Sequence, residues 1–334
     1  MKFPALPLST VGMGSVPYKR GEDSSKVIFR DWDIPFWPQY PARSLRENFV
    51  YQFLGGFPGL AVSDTSASFD PSKFLRSAEA WQKRLDRAFS EKEFLGFEPS
   101  SDSALGYSQM KNLLKQEAFP EKKVIKLQIT GTDTVWEFFF KKCAPDERAN
   151  EIKKLLKLAL MASGLAEIER ARSFGRIPLI FIDEPSRPAE LSRLKEMVKI
   201  FKAADAFVGL HTCSQREWDG FEHLEIDFFH FDATAQPVLE ASNRSWLQGF
   251  LKSGRWVVWG IIPTGPDSSF RARNFSSSLL EKTKQVSTAA IPVDAVLEHS
   301  LIAPACGTGT LNLPQDQAVR ESLRLTAQSL KFSV

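Results

Sequence analysis

The chain has 334 residues, 43% hydrophobic and 25% charged, ordinary globular proportions that exclude wholesale disorder and allow a large core. Its 43 Lys and Arg are interspersed with 40 Asp and Glu for a net charge of +3, too mild a balance for a nucleic-acid partner held by charge. Three cysteines in so long a chain make no disulfide framework and fit a reduced, cytoplasmic setting. No run reaches the roughly 18 apolar residues of a membrane span. The opening "MKFPALPLSTVGMGS" carries two prolines and no apolar signal-peptide core.

Eight short apolar runs follow one another: 9–17 (STVGMGSVP), 33–41 (DIPFWPQYP), 123–131 (KVIKLQITG), 176–185 (RIPLIFIDEP), 205–213 (DAFVGLHTC), 225–233 (EIDFFHFDA), 255–264 (RWVVWGIIPT) and 300–307 (SLIAPACG). Their near-continuous apolarity suits parallel strands covered on both faces. Helical periodicity fills the spacing at 146–173, 188–204 and 314–332, each stretch long enough to cross back over a sheet. Eight such strands predict an α/β fold of the (β/α)8 TIM-barrel type, one domain over 1–334. A doubly wound sheet with an extra domain is the competing arrangement. A long excursion at about 55–120, between strands 2 and 3, holds a Gly/Pro turn, two polar loops and a helix at 73–89. Its length suggests part of a substrate mouth. The 27 Phe and 8 Trp read as core.

In such a barrel catalytic groups gather at the carboxyl ends of strands. His211 and Cys213 end the fifth run, Asp232 the sixth and Cys306 the eighth; Asp183 and Glu184 end the fourth, Gly14 and Ser15 the first. Strand side chains alternate with period two, so His211 and Cys213 share a face, as do His230 and Asp232. An imidazole, two thiolates and a carboxylate at one mouth suit tetrahedral Zn²⁺ with bonds of roughly 2.0–2.3 Å. Each cysteine alone would equally serve as a small buried hydrophobe. His230 is read as barrel filling, with orienting a ligand as the alternative, and Cys143 as structural. Glu184, on the opposite face from Asp183, is read as capping a helix or bracing the barrel.

"GMGSVP", "LQITG", "FIDEP", "GLHTC" and "PACGTGT", in this order, resemble the catalytic barrel of the cobalamin-independent methionine synthase family, within the superfamily that contains uroporphyrinogen decarboxylase. The resemblance runs over about residues 10–330. It implies zinc held by His211, Cys213, Asp232 and Cys306, and methyl transfer to a zinc-activated thiol of the homocysteine type, as in methionine biosynthesis. It also implies Asp183 as the active-site acid receiving the substrate's amino group, and Gly14 and Ser15 as holders of its carboxylate. Arg43 stands near a position where the family has Glu, and an arginine there welcomes an anion. There is no room for the family's second barrel, and Asp232 is one methylene shorter than the usual Glu. These departures point to a stand-alone barrel acting on a small-molecule thiol. The methyl donor is left open, with a corrinoid protein as a candidate. Two other readings compete: a metal-free lyase like uroporphyrinogen decarboxylase, gripping carboxylates with Arg43 and Arg46, and a non-catalytic barrel with a structural zinc.

Overall fold

The computed structural model describes residues 3–19, 24–185, 188–214, 217–235, 239–265 and 271–331. After helix α1 (Ser24–Asp31) come a small antiparallel hairpin, β1 (Leu60–Val62) with β2 (Ala67–Phe69), and helices α2 (Pro71–Glu91) and α3 (Leu105–Lys115). Asp70 starts α2 by accepting from the backbone N–H groups of Ser72 and Lys73, with Pro71 at the first helical position where no donor is needed. From there the chain alternates: β3 (Val124–Thr130), α4 (Thr132–Phe138), α5 (Ala149–Ser173), β4 (Ile177–Asp183), α6 (Leu191–Ala203), β5 (Phe207–Thr212), β6 (Phe228–Asp232), α7 (Ala241–Lys252), β7 (Trp256–Ile262), α8 (Ser276–Val286), α9 (Val293–Glu298), β8 (Ser300–Pro304) and α10 (Leu313–Lys331).

Strands β3 to β8 form one parallel sheet in sequence order, curled so that its two faces bury different clusters. Ile125, Leu127, Ile180, Ile182, Phe229 and Phe231 face the helices. Leu179, Phe181, Phe228 and Val258 pack against each other on the inner face. Both faces are dry, which is why every residue of β3 is buried and why the runs lacked alternation. Gly164 on α5 lets that helix lie against α6: a Cβ there would sit 2.5 Å from the Phe201 ring. Among the described residues no helix is long and apolar enough to cross a membrane.

Six of the eight expected strands are thus regular. The first two runs contribute isolated bridges only: Thr10 to Ile302 on β8, Val11 to Ile34, Ser15 to Gln39, and Phe36 to Lys126 on β3. Pro35, Pro38 and Pro41 deny the second run three of its donors. Side chains take over where the ladder fails. Gln128 Nε2 donates to Trp37 O (2.9 Å) and Trp37 Nε1 donates to Glu167 Oε2 on α5 (2.8 Å).

The excursion corrects a second expectation. Residues 55–120 line no part of the cavity described below; α2 packs against the outside of α5, and Glu98 is gripped there by Arg170 (2.8 Å). Apolar Phe74, Ala78, Leu85 and Ala88 give α2 a face to bury, and α5 is where that face goes.

Glu184 points away from Asp183, as alternation requires, and accepts from Thr134 Oγ1 in the first turn of α4. Burial raises its pKa to about 8 from an ordinary 4.5. Between those values an unfolded chain sheds a proton that the folded one keeps, so this group lowers stability as pH rises from 4.5 to 8 and is neutral in effect below that window. Full expression of the shift amounts to roughly 4–5 kcal/mol. Glu184→Gln keeps the acceptor and removes the proton. It is expected to melt with wild type at pH 4 and well above it at pH 8, by thermal denaturation across that range. Parallel curves for the two proteins would refute the assignment.

Candidate metal centre

The carboxyl ends of β4, β5 and β6 are aligned by register: Asp183 pairs with His211, and His211 with His230. All three therefore point to the inner face at one level. Cys213 lies one residue past β5, and Cys306 two residues past β8. The sheet's curl carries these chain ends together. The ligand atoms of His211, Cys213 and Cys306 all lie within 4.8 Å of one another, and the two sulfurs are 3.6 Å apart.

His211 is only 5% exposed, and its tautomer follows from its neighbours. His230 Nε2 lies 3.0 Å from Pro304 O, an acceptor only, so that nitrogen carries the proton. His230 Nδ1 must then accept from His211 Nδ1–H, 2.6 Å away. The relay leaves the Nε2 lone pair of His211 free as a donor to a metal. Burial depresses the His230 pKa well below its usual value, holding the ring neutral as the relay requires. His230, for which barrel filling was favoured over orienting a ligand, lies in hydrogen-bond contact with His211.

The thiol hydrogen bond with Cys213 is the main cause that lowers the Cys306 pKa, against the opposing effect of burial; the same bond and burial push Cys213 up. Two cysteine sulfurs and one free imidazole nitrogen form a soft donor set that fits a borderline-soft divalent ion and suits Mg²⁺ or Ca²⁺ poorly.

The cysteines and His211 form one side of a cavity of about 240 Å³ whose other walls include Ser15, Gln39, Glu47, Phe49 and Asp183. Two of these walls are polar side chains more than nine-tenths buried with an atom lacking any partner: Asp183 Oδ1 and Gln39 Nε2. Burial raises the Asp183 pKa, opposed chiefly by the charge of Lys126. Both residues line the cavity beside the sulfurs, and the two unpartnered atoms are themselves buried.

No protein-family model matches the chain, and no curated protein does.

The remaining sequence candidates divide. Gly14 is at φ +94°, and a Cβ there would lie 2.7 and 2.8 Å from the carboxamide oxygens of Gln39 and Gln128, so only glycine fits. Ser15 lines the cavity, but its backbone oxygen is engaged by Thr308 N (2.8 Å) and its hydroxyl by Gly309 N (3.4 Å). Asp232 is not brought into the cluster; its Oδ1 accepts from Thr234 N (2.8 Å) and Thr234 Oγ1 (2.6 Å), closing its own turn. Arg43 is outside the cavity wall, with Nη1 on Glu47 Oε1 at 2.5 Å. Arg46 lies 3.5 Å from Asp64. Neither arginine is among the residues that line the cavity.

Three polar residues went unnoticed in the sequence. Glu47 lines the cavity as Arg43's partner. Gln39 supplies the unpartnered donor. Lys126 is fully buried, with Nζ on Gln128 Oε1 (2.9 Å) and over the Phe181 ring; burial lowers its pKa to about 8. A signal did exist for Lys126: Lys126, Gln128 and Thr130 have one parity inside an apolar run, which is a polar stripe on one face of a strand.

His230→Phe keeps the bulk and cuts the relay. It is expected to weaken metal binding about 10- to 100-fold, read by chelator competition. Undiminished affinity would mean the imidazole pair does not set the His211 tautomer.

Proposed function

We propose that the chain is a zinc-dependent thiol methyltransferase on a (β/α)8 barrel, in which the irregular segments at 9–17 and 33–41 serve as the first two staves. The observation that carries this reading is the convergence of one imidazole and two sulfurs within 4.8 Å at the wall of a cavity. Three protein donors leave a coordination position for substrate, the hallmark of catalytic rather than structural zinc sites. Zn²⁺ held by His211, Cys213 and Cys306 would lower the pKa of a substrate thiol and keep it as a thiolate near neutral pH.

The chain's own groups do the rest. Asp183, with a free carboxylate oxygen, receives a cationic end of the thiol substrate. Gln39 offers its amide N–H to an acceptor on the same molecule. Phe49 and Pro185 supply apolar wall that keeps water from the sulfur. Asp232, committed to Thr234, is left out of the ligand set. The methyl donor approaches from the open side of the cavity, and a corrinoid protein is one such donor.

The test is metal content by elemental analysis, followed by X-ray absorption with and without added thiol. The expected result is about one zinc per chain with two sulfurs, rising to three when thiol is supplied. Zinc that ignores thiol would mark a structural site. Absence of zinc after reducing, metal-replete purification would refute the reading.

A further inference from the structure

Cys306 sits outside the sheet. The last backbone bond that ties its strand to the neighbour is Ala305 N–H to Ile262 O (2.8 Å); beyond it the chain runs through residues 306–312 to α10. Something other than the ladder must hold the sulfur where it meets Cys213. The contacts that do so form a chain of their own. Thr308 N–H donates to Ser15 O (2.8 Å), and Thr308 Oγ1 donates to Asp316 Oδ1 (2.6 Å) in the first turn of α10. The other Asp316 oxygen accepts from Arg320 Nε (3.1 Å), and Arg320 Nη1 reaches Asp31 at the end of α1 (2.9 Å). Gly307 presses on Ser15 so closely that a Cβ would lie 2.0 Å from its hydroxyl. Thr308 is 5% exposed and Asp316 2%.

We propose that Asp316 is a positioning residue for the metal centre, holding the Cys306 loop through Thr308 so that the two sulfurs meet. The inference deepens the reading of the site as a metal centre. Metal–sulfur bonds tolerate only about 0.2 Å of misplacement, while a loop freed from its anchor moves by more than that. An acid in the first turn of a helix is also ordinary dipole compensation, and the salt bridge to Arg320 is ordinary bracing. Those roles predict lost stability alone. Positioning predicts that the sulfurs part.

The experiment uses the full chain in a Cys143→Ser background, so that only the two site thiols report. Phenylarsine oxide condenses with two neighbouring thiols and releases water, and it needs no metal. Its affinity, the Zn²⁺ affinity by chelator competition, and the melting temperature are measured for Asp316→Ala, Asp316→Asn, Thr308→Val and Thr308→Ser. Asp316→Ala and Thr308→Val are expected to lose tenfold or more in both affinities. Asp316→Asn, which keeps an acceptor for Thr308, should fall between them and wild type. Thr308→Ser, which keeps the hydroxyl and leaves α10 untouched, should behave as wild type. Unchanged arsenical and zinc affinities in Asp316→Ala and Thr308→Val, whatever their melting temperatures, would overturn the proposal. So would a wild type that binds neither probe. If wild type binds the arsenical but no zinc, and the variants lose the arsenical, the metal reading falls and the positioning role stands.

Discussion

Replacing Cys306 with serine is expected to lower zinc affinity by at least about 100-fold, since a site worth roughly 10–16 kcal/mol is shared among few ligands. Cys306 is the ligand whose loss is felt most. Its sulfur lies 3.6 Å from that of Cys213, and the hydrogen bond between them lowers the Cys306 pKa. A serine hydroxyl stays protonated near neutral pH and is a poor ligand for a soft ion. Cys143→Ser is the matched control, because Cys143 is exposed and, among the described residues, its sulfur bonds to Phe139 O alone (3.4 Å). Chelator competition on the two variants decides the matter. Equal affinities would mean that the three-donor cluster is not the site, and thiol methyl transfer would lose its physical basis.

Asp183→Asn is the second large expectation, and it separates substrate recognition from metal binding. The carboxylate has one oxygen without any partner and lines the cavity beside His211. Removing one partner of a buried charge pair costs about 2–5 kcal/mol. For a thiol bearing an ammonium group, kcat/KM is expected to fall roughly 100-fold or more. For a neutral thiol such as 2-mercaptoethanol the loss should be under about tenfold, and zinc content should be unchanged. A similar loss on both thiols would assign Asp183 to the integrity of the site instead of to the cation. Burial raises the Asp183 pKa, so the preference for the cationic thiol is expected to weaken as pH falls and the carboxyl takes up its proton.

The legible part of the fold was the part with continuous apolar runs. Strands β3 to β8 fall inside six of the eight runs, because a strand buried on both faces has to be apolar throughout. The two runs that failed as regular strands carry Pro35, Pro38 and Pro41, and Gly12 and Gly14. Those residues were visible from the start: the prolines deny the second run its donors, and the glycines weaken a strand in the first. The excursion was legible as an interruption but not as to where it packs. Nothing in its own periodicity says which helix its apolar face meets.

For the site, position at a strand end picked out His211, Cys213 and Cys306, which the structure brings together, since parity and strand length follow from local pattern. The same rule also chose Asp232, which closes its own turn with Thr234 (2.8 Å), and a rule based on chain position cannot tell an inward ligand from a turn former. His230 shows the limit most clearly: its parity was known, yet its role depends on a 2.6 Å contact with a ring nineteen positions away.

What the sequence by itself determined is therefore local and periodic: the alternation of strands with helices, the faces of the strands, and the scarcity of soft ligands that made three of them worth joining. What only the tertiary structure decided is which ends meet. The curl of the sheet brings β5 and the chain beyond β8 together, so that sulfurs 93 residues apart lie 3.6 Å from each other. The Thr308–Asp316 bond holds the second of them, and a cavity wall leaves Asp183 and Gln39 unsatisfied. These are contacts between distant segments. They depend on the summed twist and packing of the whole sheet, and no short stretch of the chain encodes them.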